Sequence, residues 1–405
     1  MTQLISIGTY APPWRVGDRP TKGPDEDALT MAVAAGRAAD PDVSAHRVVL
    51  VSRDFPLLQG GNSAVLLAAL SLPGDTPVTE VLGGAPAVLD QLVSAPPDTL
   101  VIAADDNDAA VGAAAVLTGA GEVMLTPVGR QTRSLPLQAR GADGGRHSYA
   151  DPRLQREVGI RATLKKLALE QAASVVAVGG VAAGQLGREL DTSAAIDDPR
   201  PSGSAIICLI AEATEKGCAG LVLAVEQSTM SVAQLCASGT PRVIRDEAPA
   251  QQLPTTRVAE GVGIPISMPA YSRAFEPKIR WEAAVFEERA GIDAAPQFPP
   301  RLRVDDDGRL ATDYRMQPLP RTGTVYTHTT IRIPVPGLPS PYSLALVQLD
   351  GSPVRVLMKV TGVPAGETTI GQAGSVVLRR IATRAGIPDY GYAFWPGRVE
   401  QGAKA

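Results

Sequence analysis

Between Arg47 and Ala104 the chain alternates strand and helix signals in an order that few architectures can satisfy. Two short apolar runs, RVVLV (47–51) and LVIAA (100–104), have the length and β-branching of buried strands. They bracket two helical patterns and a short strand at Pro77 to Val81. The second helix opens at Gly83 and Gly84 in VLGGAPAVL, where the backbone can approach whatever lies above a helix N-terminus. Strand, glycine turn, helix and buried strand imply an α/β layer with a site at a helix start.

At 405 residues the chain has room for two or three domains, and with 44% apolar residues it can bury ample core. Aromatics are scarce at 4%, which suits small-residue helices packed closely on sheets. A net charge of −4, with no basic run interleaved with aromatics, argues against nucleic acid. No stretch approaches the ~18 continuous apolar residues of a membrane span. The opening MTQLISIGTYAPPWRVGDRP lacks the basic start and apolar run of a signal peptide. Cys208, Cys218 and Cys236 have neither metal-type spacing nor a disulfide framework. The expectation is a cytoplasmic protein with reduced thiols.

Along the chain, LISIGTYAP opens as a strand, and PDEDALTMAVAAGRAA predicts a helix that Asp25 can cap. The polar, glycine-broken segment Arg133 to Gly159 predicts a loop or lid. The second half then repeats the layout of the first. A helix runs through REVGIRATLKKLALEQA and a strand through SVVAVGG; a helix AAGQLGREL, a helix SGSAIICLIAEA and a strand GLVLAVEQ follow. From 245 to 294 the composition predicts a proline-rich linker ending in a docking helix, SRAFEPKIRWEAAVFEER. After Arg301, alternating β-branched residues around DG and PG turns predict a small closed barrel.

Three of these passages carry a resemblance. IGTYAPPWRV, VLGGAPAVL and DDPRPSGSAIICL resemble the thiolase superfamily, in the branch of 3-hydroxy-3-methylglutaryl-CoA synthase and ketoacyl synthase III. AAVGAAAVLTGAGEVMLTPVG resembles a strand–helix passage of that family, with Gly112 allowing tight helix packing. The final strands, GTVYTHTTIRIP through PYSLALVQLDGSPV, resemble the acyl-CoA-associated OB-fold family that accompanies thiolase-like proteins. The resemblance covers residues 3–240 and 295–398. It implies an α/β protein with a layered αβαβα thiolase-like fold of two similar halves, then a small all-β OB-fold barrel. The expected domains are 1–244 (halves about 1–130 and 131–244), a linker and docking helix at 245–294, and the barrel at 295–405.

Carried over position by position, the resemblance places the family's nucleophilic Cys on Val81, its His on Gly179 and its Asn on Pro199. Its general base falls near Arg53, with Asp54 adjacent. The zinc-ribbon cysteines of the OB-fold family, aligned on Phe298-Pro299-Pro300, become Ala290, Asp293, Val304 and Asp307, so no zinc is expected.

Acyl transfer needs a thiolate and oxyanion donors, which Val81, Gly179 and Pro199 cannot supply. Cys208 sits among apolar neighbours and reads as core. His147 and Tyr149, with Asp151, could relay a proton, or could simply be solvated loop residues. With Asp54 they are the candidates for a catalytic role. Gly83, Gly84, Ser202, Gly203 and Ser204 are the candidates for holding a thioester oxygen, although helix capping explains Ser202 equally well. Arg321, Arg332 and Arg355 could meet coenzyme A phosphates or merely solvate a face; His328 points either into the barrel or out of it.

Two functions follow as expectations. The first is a catalytically degenerate thiolase-like subunit that binds or channels acyl-CoA or acyl-carrier substrates. It would act as a homodimer or in complex with a catalytic thiolase-like protein. The second is an enzyme that makes or breaks C–C bonds in acyl-CoA thioesters, a retro-aldol lyase or acyltransferase using other residues of the same cleft.

Overall fold

The computed structural model describes residues 1–398 except 135–137, 144, 150, 152, 154–158, 171–172, 227–228, 262–267, 335 and 385. The chain divides into two compact units. The first comprises Met1–Ala11, Ala34–Phe55 and Asp75–Glu247; the second comprises Pro12–Val33, Pro56–Gly74 and Ala248–Ala405.

The first unit is a repeat. Its first half contributes β1 (Thr2–Ala11), α1 (Ala28–Ala39, whose C-terminal half belongs to this unit), β2 (Arg47–Ser52), β3 (Val78–Leu82), α3 (Ala85–Ser94), β4 (Thr99–Asp106) and β5 (Val111–Thr118). The helix α2 (Gly61–Leu70) belongs to the second unit. The second half contributes β6 (Val123–Thr132), α4 (Arg161–Leu167), β7 (Val175–Gly179), β8 (Ile196–Asp198), α5 (Ser204–Glu215), β9 (Gly220–Val225) and β10 (Thr229–Ala237). Hydrogen bonding orders the first half β3-β2-β4-β5-β1 and the second β8-β7-β9-β10-β6. Numbered within each half, both read 3-2-4-5-1, with the fifth strand antiparallel to its neighbours. The halves join where Thr2, Gln3 and Leu4 of β1 pair with Leu125, Met124 and Val123 of β6.

Both β2 and β4 are buried almost end to end, as parallel strands covered on two faces must be. The cover on one face is the helix pair α3 and α5. Of these, α3 packs on β2 and β4 of its own half and on β6, β9 and β10 of the other; α5 packs on β7 and β8 and across onto β4 and β5. One core cluster therefore mixes Val51, Val101 and Ala103 with Val88, Leu89 and Leu92 of α3, Ile206 and Ile210 of α5, and Val222 and Leu235 of the second half. A helix sandwiched in this way is apolar nearly all round, which accounts for AIICLIA in α5. On the outside lie the end of α1, where Ser6 donates to the Ala39 carbonyl at 2.5 Å, and α4 against β6 and β10. Such is the layered, two-half α/β fold expected.

Several local expectations fail for identifiable reasons. The alanine-rich passage containing Gly112 is two strands, β5 and β6, with no helix. Its small side chains let α5 lie close over β5, and Gly112 itself has φ 139°, closed to side chains. AAGQLGREL forms only a 3₁₀ turn at Ala183–Leu186, because Gly187 ends it at φ 94°. Asp27, not Asp25, caps α1: its Oδ1 accepts from Leu29 N and Thr30 N, while Thr30 Oγ1 accepts from Asp27 N. Part of Arg133–Gly159 is a hairpin, with Gln138–Arg140 paired to Arg146–Ser148; the rest of that segment falls partly outside the described residues. Residues 245–247 complete β11 (Arg242–Glu247), a parallel partner of β1, and are no linker.

The second unit holds α6 (Met268–Arg280) against α2, and the strand pair β12 (Glu282–Phe286) with β13 (Tyr314–Pro318). The expected docking helix thus stops at Arg280; Trp281 turns at φ 62° and EAAVF continues as strand. Beyond it, β14 (Thr322–Ile331), β15 (Tyr342–Leu349), β16 (Arg355–Val360), β17 (Ala373–Arg384) and β18 (Ile387–Pro396) close a barrel in the order β14-β15-β16-β18-β17. Two acids from the start of α1 are built into this unit. Glu26 pairs with the buried Arg379 (3.2 Å), and Asp27 accepts from Tyr390 Oη (2.7 Å). Among the described residues no helix is long and apolar enough to cross a membrane.

Candidate functional site

In open α/β sheets, side chains meet beyond the carboxyl ends of the parallel strands, where helices begin. In the first unit the ends of β2, β4, β7 and β9 converge there on the N-termini of α3 and α5. Those two starts nearly touch: a Cβ on Gly203 would lie 3.6 Å from the Gly84 Cα. The sequence-predicted Gly83, Gly84, Ser202, Gly203 and Ser204 are therefore brought together.

An anion does sit at the start of α5, and it is the protein's own. Asp105, 4% exposed at the end of β4, accepts from Gly203 N (2.8 Å) on Oδ1. Its Oδ2 accepts from Ser202 Oγ (2.8 Å), Ser204 N (2.8 Å) and Ser204 Oγ (2.6 Å). Ser202 Oγ also accepts from Ala205 N, the capping role. The donors expected to hold a thioester oxygen are engaged by a carboxylate from the other half of the repeat.

The start of α3 is covered by a second pair. Arg53, just after β2, and Glu226, just after β9, form an ion pair with both side chains partly buried, and Arg53 Nη1 reaches the Pro201 carbonyl at 3.3 Å. Gly84 lies directly beneath; any side chain there would collide with the Arg53 guanidinium and the Glu226 carboxylate. Neither Asp105 nor Glu226 is singled out by local sequence pattern.

Around this centre, Val81 lies in β3 beside Val51 and packs against the core cluster. Gly179 ends β7, where an added side chain would meet Ile206 Cδ1 at 3.1 Å and Ala85 Cβ at 3.8 Å. The next residue, Gly180, has φ 93° and donates to the Asp198 carbonyl. Pro199 is exposed between Asp198 and Arg200, whose side chains form a two-point pair. Burial pushes the Asp198 carboxyl up, but hydrogen bonds from Arg200 outweigh it and hold the group below its ordinary value.

The other candidates lie apart. Asp54 ties strand ends together, accepting from Asp106 N and Asn107 Nδ2, each at 3.1 Å. His147 is exposed on its hairpin, 3.9 Å from Asp143, and Tyr149 is 59% exposed. Cys208 is exposed on α5 and is not the core residue expected, because it lies on the face of α5 turned away from the core cluster. Even so, desolvation by the surrounding chain, reinforced by Glu247, Asp105 and Asp198, pushes its thiol up to about 12, the reverse of what a nucleophile requires. In the barrel, Arg321 stacks on the Tyr392 ring (4.7 Å), Arg355 stacks on Tyr326 (3.9 Å), and His328 faces Ala345 with an Nδ1 that has no hydrogen-bond partner.

Near the positions where the resemblance places zinc-ribbon cysteines, the chain forms two isolated bridges, Arg289 to Ile292 and Val304 to Leu310. Arg289 holds them, with two hydrogen bonds to Asp313 (2.5 and 2.8 Å) and Asp305 at 3.8 Å; Arg303 approaches Asp293 at 3.8 Å. Among the described residues no three His, Cys, Asp or Glu side chains are grouped to hold a metal.

The fold is a layered α/β unit of two similar halves joined in one chain to a closed five-stranded barrel. Residues 316–379 match the family described as the ChsH2 C-terminal OB-fold domain. No curated protein matches the chain by sequence. Among solved structures it is similar to 3-oxoacyl-(acyl carrier protein) synthase III from Pseudomonas aeruginosa PAO1, at 16% identity and TM-score 0.44, over 60% of this chain and 99% of that one. It is also similar to a variant of OleA from Xanthomonas campestris, at 14% identity and TM-score 0.47, over 58% and 98%. A third is the Ltp2-ChsH2(DUF35) aldolase, at 20% identity and TM-score 0.25, over 31% and 93%.

Proposed function

We propose that this chain is a non-condensing, thiolase-like subunit that binds an acyl-CoA or acyl-carrier thioester and works with a catalytic thiolase-type partner. The observation that carries the reading is the occupancy of the two helix starts. Where acyl transfer needs a thiolate and open oxyanion donors, Asp105 takes the donors of α5, and the Arg53–Glu226 pair lies over α3. Packing supports it further: a side chain at Gly179 would crowd Ile206, and the Cys208 thiol is pushed away from the thiolate form. The glycines and serines at the two helix starts support a role in recognition, and Asp105 with the Arg53–Glu226 pair argues against a covalent acyl step. The barrel supports the reading as the second module that accompanies thiolase-like enzymes.

Purified alone and given acetyl-CoA or a longer acyl-CoA, the chain should release no coenzyme A above the uncatalysed rate. Added to a thiolase-type partner from the same cell, it should co-elute with that partner and alter its turnover. Condensation or cleavage at ordinary enzyme rates by the chain alone would overturn the proposal.

A second reading, an acyl-CoA lyase without a covalent step, is favoured by one observation: a carboxylate, Glu226, and a guanidinium, Arg53, stand together over the start of α3. A lyase needs a base and an oxyanion partner, and this pair is placed to serve as both. The barrel family that residues 316–379 match also bears the name ChsH2, as does the Ltp2-ChsH2(DUF35) aldolase. Glu226→Gln would then abolish any detected cleavage; unchanged turnover would remove this reading.

A further inference from the structure

We propose that the second unit carries a pocket for a small carboxylate borne on an apolar body, with Lys359 as its counter-charge. A cavity of about 320 Å³ opens among the ends of β15, β16 and β17 and the segments around Trp14, Pro254 and Pro339. Its walls are mostly apolar, with Trp14, Val258, Pro339, Val363 and Ala382 among them. Lys359 lies in this wall at the end of β16.

The environment of Lys359 is unusual for a lysine. Its Nζ donates to the Ile381 carbonyl at 2.7 Å and lies 5.6 Å from the centre of the Tyr342 ring. An ammonium has three donors, so one backbone acceptor leaves most of its capacity unspent. Among the described residues no carboxylate comes within ion-pair distance of it. The other titratable or charged groups of the lining are Asp25, Arg380 and Tyr342. Asp25 approaches the buried Arg379 at 3.9 Å, while Arg380 donates to the Pro24 carbonyl. Two cations and one acid thus face an apolar cavity, and burial pushes the Lys359 ammonium below its ordinary value, with Asp25 opposing. A charge held this way is costly unless something compensates it. A carboxylate entering the cavity would accept the unspent donors while its apolar part covered the walls. Inorganic phosphate suits the site less, because most of the wall is apolar and phosphate has no apolar part to cover it.

Calorimetry of the full chain with hexanoate, 1-hexanol and inorganic phosphate as probes tests this directly. The expected result is one hexanoate per chain, with hexanol and phosphate at least about tenfold weaker. Lys359→Met should weaken hexanoate by about tenfold or more, and Lys359→Arg should restore most of the affinity. Ala382→Trp, which fills the cavity from its wall, should abolish binding with the circular dichroism spectrum unchanged. Equal binding of hexanoate and hexanol, undiminished binding by Lys359→Met, or binding of phosphate alone would overturn the proposal. No coenzyme A or partner protein enters this experiment, so its outcome is independent of the function proposed above.

Discussion

Asp105 shows how much one side chain can decide. Its four hydrogen bonds satisfy the first donors of a helix from the opposite half of the repeat, in a site almost closed to water. Removing the carboxylate leaves two amides and two hydroxyls buried without it, each costing about 1 kcal/mol or more. Asp105→Ala should therefore lower the unfolding free energy by about 3 kcal/mol in urea titration, and a loss below about 1 kcal/mol would contradict this role. The same residue marks a limit of sequence reading. Glycine pairs and SGSA are local signals, so the two helix starts are legible. Asp105 meets Ser202 across 97 positions and Arg53 meets Glu226 across 173, and no periodicity reports such distances. The two helix starts were legible; the residues that engage them were not.

At the level of elements, sequence and structure part where small residues blur the two periodicities. AAVGAAAVL fits a helix or a strand, and only the approach of α5 over β5 decides between them. AAGQLGREL has helical composition, yet Gly187 allows one turn. The two bridges before the barrel are a different case, local turns held by side-chain ion pairs. There Arg289 bridges Asp313 and Asp305. Arg289→Met should lower the melting temperature measured by calorimetry, whereas EDTA should leave that of the unaltered chain unchanged. A fall in melting temperature on chelation would show a bound metal and contradict this account.

Across the whole first unit, the repetition of one five-strand order in both halves places α3 and α5 side by side. The helices α3 and α5 are shared core, so their starts remain side by side whatever chemistry they serve. The alternation of strands and helices made that layering readable in advance, and the turn-punctuated strands did the same for the barrel. The central proposal is that the paired helix starts form no covalent acyl intermediate. Intact-mass spectrometry of the full chain after incubation with excess acyl-CoA measures it directly. The mass should remain that of the unmodified polypeptide; a stoichiometric acyl adduct on Cys208, Cys218 or Cys236 would contradict the account.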